Sequence, residues 1–289
     1  MRLATFLHGG VPTLGVVDTV RFIEPIPTDH GEPTTMRGLI AQWESMRSSL
    51  EDLVEISTPA RRSIDRVRLL APIADPGKIV AVGLNYVDHA AESGQVLPTE
   101  PLVFTKFSSS IIGPGAAITW DPALTEAVDF EAELAVVIGR QARNVTEADA
   151  LSYVFGYTCL NDVSARDLQF GDGQWVRGKS LDTFCPMGPV IVTADEIPDP
   201  QALAIGCRIG DATMQEASTG DMIFGVAELV ARLSRSFTLE PGDVIASGTP
   251  PGVGYFRDPQ RLLGHGDEVT VWIEFIGDLR NPCQITTTS

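Results

Sequence analysis

The chain has 289 residues, 44% of them hydrophobic and 20% charged, enough apolar material for one large core with a smaller unit attached. That excludes a disulfide-stapled miniature, a collagen-like or coiled-coil repeat and wholesale disorder. Lysine and arginine number 21 against 38 aspartates and glutamates, a formal charge of −17, so the surface repels phosphate backbones and anionic membranes and no nucleic-acid partner is expected.

The start, RLATFL, HGGVPTLG and VVDTVRFIE, reads as short strands joined by a glycine and proline turn. From Thr34 onward Met36, Leu39, Ile40, Trp43, Met46, Leu50, Leu53 and Val54 recur at steps of three and four, with Thr34 or Thr35 as N-cap. This spacing predicts a single amphipathic helix of about five turns. A stretch rich in proline and basic residues follows, and the boundary between a small front unit, 1–72, and the remainder, 73–289, is placed near Pro72.

The remainder is dominated by strand-like segments: KIVAVG, PLVFTK, AAITW, VDFEAELAVVIG, MGPVIVTA, DVIASGT and DEVTVWIEFIG. Helices are expected after Tyr86, over 146–154 and over 227–236. Strand and helix do not alternate regularly and no GxGxxG follows a first strand, which disfavours a dinucleotide-binding fold and favours a β-rich α+β domain. The longest apolar runs, such as LAVVIG at 134–139, are far shorter than the ~20 residues of a membrane span, so no membrane partner is expected. Cys159, Cys185, Cys207 and Cys283 lack zinc-site spacing and the start lacks a signal-like segment; the expectation is a reduced, cytoplasmic protein.

The most informative segment is VDFEAELAVVIG. Strand parity puts Phe130, Ala132, Leu134, Val136 and Ile138 on one face and Asp129, Glu131 and Glu133 on the other, with Glu131 and Glu133 about 7 Å apart along the chain. The acidic parity runs on into Ala135 and Val137, so this face turns apolar and dips into the interior. Carboxylates there need cations, because a like-charge pair at ~4 Å costs on the order of 4 kcal/mol at an effective dielectric near 20. In GYTCLNDVSARDLQ, Asp162 is a third candidate, followed by Arg166 and Gln169 at offsets that share one helical face. Oxygen ligands alone suit magnesium, manganese or calcium, whereas an isolated ExE is more often a solvated strand face and Asn161-Asp162 more often a turn.

Of the four histidines, His8 and His265 adjoin glycines in turn-like sequence and His30 lies in a proline-rich loop. His89 and Glu92 are three residues apart, close enough on a helical turn to form a dyad, and Gly94 ends that helix in a mobile loop. Arg177 and Lys179 sit among glycines and are unusual cations in so acidic a chain; the lysine could stabilise an enolate or simply pair with an acid. The turn GDVIASGTPPGVG offers backbone amides and the Thr249 hydroxyl to a carboxylate.

The ordered set IVAVGLNYVDHAAE, PLVFTKFSSSIIGPG, VDFEAELAVVIG, GYTCLNDVSARDLQ, RGKSLDTFCPMGP and GDVIASGTPPGVG resembles the fumarylacetoacetate hydrolase family from about Lys78 to about Pro282. The resemblance implies a mixed β-sandwich roll, a homodimer and a divalent metal, magnesium or manganese. By the same resemblance Glu131, Glu133 and Asp162 are metal ligands, His89 and Glu92 the water-activating lid dyad and Lys179 the charge-stabilising lysine. Arg166, Gln169 and Thr249 would contact the substrate or orient water. Fumarylacetoacetate hydrolases proper carry an extra aspartate ligand ahead of the lid histidine, and IVAVGLNY has no acid there. The chain is therefore closer to the acylpyruvate hydrolase and oxaloacetate decarboxylase branch.

The resulting expectation is hydrolysis of a carbon-carbon bond in a small 2,4-dioxo acid such as an acylpyruvate. Oxaloacetate decarboxylation and 2-oxo-acid isomerisation or hydration on the same scaffold are the alternatives. A non-catalytic module in which metal only ties strands together is the reading from a different class, and it leaves His89, Glu92 and Lys179 without a task.

Overall fold

The computed structural model describes residues 1–18, 21–28, 32–55 and 58–286; His30 lies outside them. The fold is β-rich α+β, built on a large mixed sheet packed against a five-stranded one. Across the large sheet the strands run Arg62–Ser63, Phe22–Pro25, Val11–Val17, Arg2–His8, Cys185–Thr193, Val154–Asn161, Ala132–Ile138, Val244–Ala246, Ile79–Gly83 and Leu102–Thr105. The smaller sheet runs Ala212–Ser218, Ala204–Ile209, Glu268–Ile273, Gly277–Ile285 and Ile118–Trp120. The opening hairpin forms as its turn chemistry predicts, and its first strand pairs with both Cys185–Thr193 and Leu69–Leu70. The front strands thus continue the same sheet that carries the core.

Strand Ala132–Ile138 is buried along its whole length because its two faces enter two different cores. Leu134, Val136 and Ile138 pack between the sheets with Ile205, Cys207, Val269 and Val271. Ala135 and Val137 turn to the opposite side, where Leu39, Ile40 and Leu50 cover the large sheet. An apolar second parity is what such a doubly covered strand requires.

Three local expectations change. The front helix divides into Met36–Ala41 and Trp43–Glu55: Thr35 caps the first through Gly38 N–H as expected, but Gln42 leaves helical geometry at φ −108° and ψ 12°. The break lets Trp43 stack edge-on against Phe155, with ring centroids 4.9 Å apart. Over 146–154 only Glu147–Ala150 is α-helical, followed by a 3₁₀ turn, and Val154 already begins a strand. Asp162 does not share a helix with Arg166 and Gln169; it follows strand Val154–Asn161, and the helix is Arg166–Asp172.

All four cysteines are buried and unpaired, and no helix among the described residues is long and apolar enough to cross a membrane.

Candidate active site

Strand register assembles the acidic cluster. Ala132 pairs with Asn161, so the residues just outside that pair, Glu131 and Asp162, lie side by side. Asp162 N–H donates to the Glu131 carbonyl at 2.9 Å, and Glu131 N–H donates to Asn161 Oδ1 at 3.0 Å. Glu133 joins them from the same parity. One oxygen of each of Glu131, Glu133 and Asp162 falls within 4.8 Å of the others, and the residues are 5%, 1% and 0% exposed.

Cations surround two of the three. Lys179 Nζ contacts Glu131 Oε2 at 2.7 Å and Asp162 Oδ2 at 2.8 Å, and Lys106 Nζ contacts Asp162 Oδ1 at 2.5 Å. Arg166 pairs with Glu131 Oε1 at 2.7 Å and with Asp129 at 2.8 Å. Burial pushes the Glu131 carboxyl up, but the charges of Lys179 and Arg166, with a smaller contribution from His89, outweigh it and hold the group down at about 2. Burial alone would lower the Lys179 ammonium; Asp162 and Glu131 raise it instead, so it stays charged.

Glu133 is the exception. It accepts Gly248 N–H at 2.9 Å and has no ion pair among the described residues. Burial, then Asp162 and Glu131, push its carboxyl well above the ordinary carboxylate range. Four buried acids, Asp129, Glu131, Glu133 and Asp162, face three buried cations, Lys106, Arg166 and Lys179. The deficit of positive charge falls at Glu133, where a divalent cation with all-oxygen ligands fits the donor set.

The Gly248 contact depends on the absence of a side chain. Gly248 has φ +98°, and a Cβ there would lie 2.7 Å from Asn85 Cβ. Asn85 anchors the same turn, donating to the Ser247 and Phe224 carbonyls at 2.8 and 3.0 Å.

His89 and Glu92 lie on helix Val87–Glu92, where Nδ1 meets Oε2 at 3.2 Å. Gly252 N–H donates to both Glu92 oxygens at 3.1 Å, and Phe256 stands 6.3 Å from the His89 ring. The helix is docked here, with His89 only 5% exposed, whereas the residues that follow it, Gly94 to Leu97, are exposed. Asp88 is exposed and stands outside the triad, in keeping with the missing fourth acid.

Arg166 and Gln169 are both buried and joined at 3.0 Å, and buried Thr249 accepts from Gln215 Nε2 at 2.8 Å. Arg177 belongs elsewhere: it pairs with Asp172 at the surface. Sequence reasoning passed over Lys106 and Gln215, and it put Asp129 on the acidic parity without a role. Gln215 accepts Ala132 N–H at 2.9 Å, between the two glutamates, while holding Thr249 and the Pro250 carbonyl. The one local signal was a lysine ending the apolar strand PLVFTK.

Known proteins share this arrangement of sheets. The mitochondrial oxaloacetate tautomerase fahd2 of Xenopus laevis is 42% identical over 288 residues, covering 98% of this chain and 90% of its own length. The fumarylacetoacetate hydrolase of Exiguobacterium antarcticum superposes with TM-score 0.87 at 39% identity, over 99% of this chain and all of the other. Maleylpyruvate hydrolase from Sphingobium sp. SYK-6, solved with manganese(II) and pyruvate, superposes with TM-score 0.82 at 32% identity over the same shares. The family described as fumarylacetoacetate (FAA) hydrolase C-terminal matches residues 78–284, so the chain belongs to the fumarylacetoacetate hydrolase family and is an enzyme.

Proposed function

We propose that this enzyme moves a proton next to the carbonyl of a small 2-oxo dicarboxylic acid, interconverting keto and enol forms of an oxaloacetate-type substrate. The observation that carries the reading is the docked His89–Glu92 pair beside a buried carboxylate triad. Bound at Glu131, Glu133 and Asp162, magnesium or manganese would supply Lewis acidity toward the 2-oxo and carboxylate oxygens of the substrate.

His89 would take the proton from C3 and return it to the enol oxygen, or run in reverse, leaving the composition unchanged. Glu92 sets its orientation and, held by Gly252, does not swing away. Lys179 keeps a fixed positive charge where negative charge develops on the substrate. Arg166, Gln169 and Thr249 are the candidate substrate contacts. A base as buried as His89 suits transfer within one substrate better than activation of bulk water, and the tautomerase likeness over nearly the full chain supports the same choice.

Hydrolysis of an acylpyruvate is the second reading, favoured by the likeness to a hydrolase holding manganese and pyruvate. The discriminating experiment follows loss of the enol absorbance of oxaloacetate and cleavage of a panel of acylpyruvates, each with added magnesium or manganese. Faster ketonisation without acylpyruvate cleavage supports the first reading; the reverse pattern replaces it with the second.

A further inference from the structure

Asp129 lies on the short strand Val128–Asp129, two residues before Glu131, and stands apart from the triad. Its oxygens are already fully engaged. Oδ1 accepts Gly254 N–H at 2.8 Å and Phe130 N–H at 2.9 Å, and Oδ2 accepts Tyr255 N–H at 3.0 Å and Arg166 Nε at 2.9 Å. A carboxylate offers about four acceptor positions, so nothing remains for a metal or substrate. The residue is wholly buried, and a full acceptor set is what keeps such a charge tolerable there.

Its partners lead in two directions. Gly254 and Tyr255 belong to the short turn whose Gly252 N–H holds Glu92 and whose Phe256 faces His89. The approach is close enough to demand glycine: a Cβ on Gly254 would lie 2.7 Å from Asp129 Oδ1 and 2.0 Å from the Arg261 carbonyl. In the other direction, Arg166 carries its remaining guanidinium nitrogen to Glu131 at 2.7 Å.

We propose that Asp129 is a positioning residue that fixes the 252–256 turn, and through it the Glu92 carboxylate, relative to the acidic cluster. It touches neither the dyad nor a substrate. The inference rests on the reading of His89 and Glu92 as the proton-moving pair, and its consequence is that Asp129 and Glu92 act in series.

The test is a double-mutant cycle of Asp129→Asn and Glu92→Gln on the metal-loaded enzyme, read as kcat and KM separately. Asp129→Asn is expected to lower kcat about 10- to 30-fold with KM and manganese affinity changed less than about threefold. In the Glu92→Gln background it should cost no more than about a further twofold. A full second loss in that background would overturn the proposal, because a purely structural residue weakens both backgrounds alike.

Amide hydrogen exchange separates this from failure of the dyad reading. Peptides covering 252–256 should exchange about tenfold faster in Asp129→Asn, whatever the activity; unchanged exchange overturns the proposal. Full activity in Glu92→Gln alone would instead sink the dyad. Should Asp129→Asn fail to fold, Gly254→Ala opens the same contact from the turn side and must give the same exchange pattern and the same series behaviour.

Discussion

Lys179 Nζ sits between Glu131 and Asp162, 2.7 Å from one carboxylate and 2.8 Å from the other. The same ammonium lies 5.3 Å from the Phe104 ring centroid, so it is held at the mouth of the acidic cluster by charge on one side and a π face on the other.

Lys179→Met should therefore have opposite effects on stability and on metal response. Breaking a buried ion pair costs about 3–5 kcal/mol, since the partner charges remain. The metal-free variant should melt below the parent, and manganese should raise its Tm by more than it raises the parent's. Turnover should fall at least about 100-fold even with metal bound. Thermal scans with and without manganese check this; a metal response smaller than the parent's would mean that the lysine recruits the ion rather than standing in for missing charge.

Glu133→Gln removes the acid of the triad that has no ion pair among the described residues. Neutralising it relieves repulsion from Asp162 and Glu131, so the metal-free Tm should hold steady or rise. Manganese affinity should drop at least about tenfold in calorimetric titration. A destabilised metal-free variant would show that the ionised glutamate is needed by the fold itself.

His89→Ala should retain manganese affinity within about threefold and lose turnover by roughly two to four orders of magnitude, the range for a positioned acid or base. Turnover at the parental level would assign the proton transfer to another group.

The Asp267–Arg261 pair gives a pH-dependent prediction that involves no side chain of the carboxylate triad or the dyad. Burial pushes Asp267 up, but Arg261 at 2.8 and 3.0 Å and Gly264 N–H at 2.7 Å hold its carboxyl below the usual range. A depressed acid contributes stability above its unfolded value, and that contribution is lost as pH falls through its folded value. Asp267→Asn should thus be less stable than the parent at neutral pH, by about 1 kcal/mol or less for a partly exposed pair, and the gap should close in acid. Chemical denaturation at several pH values reads it; a gap that widens on acidification contradicts the assignment.

Local periodicity made Glu133 legible, because strand Ala132–Ile138 sends alternate residues to one face and the switch to Ala135 and Val137 marked that face as interior. The single strand expected over VDFEAELAVVIG is broken at Phe130 and Glu131, with Val128–Asp129 in a separate two-stranded sheet, so Glu131 reaches the cluster from just outside the strand. The His89–Glu92 pair was legible for a similar reason, three residues on one helical turn. Lys106 was not: its contact with Asp162 spans 56 positions, from the residue after strand Leu102–Thr105 to the residue after strand Val154–Asn161, and no local pattern announces it. Gln215 reaches Ala132 across 83 positions from the smaller sheet, beyond any local pattern. Asp162 was found by motif while its helical placement was wrong, since Val154–Asn161 lies buried on both faces and lacks the alternation that would announce a strand. The split at Gln42 follows from packing of Trp43 on Phe155, a contact that apolar spacing alone does not distinguish from one continuous helix.

The most direct measurement is anomalous diffraction from crystals soaked in manganese. One peak is expected among Glu131, Glu133 and Asp162, within about 2.0–2.6 Å of an oxygen of each, the span of hard-cation oxygen distances. A peak elsewhere, or none at the triad under saturating manganese, would contradict it.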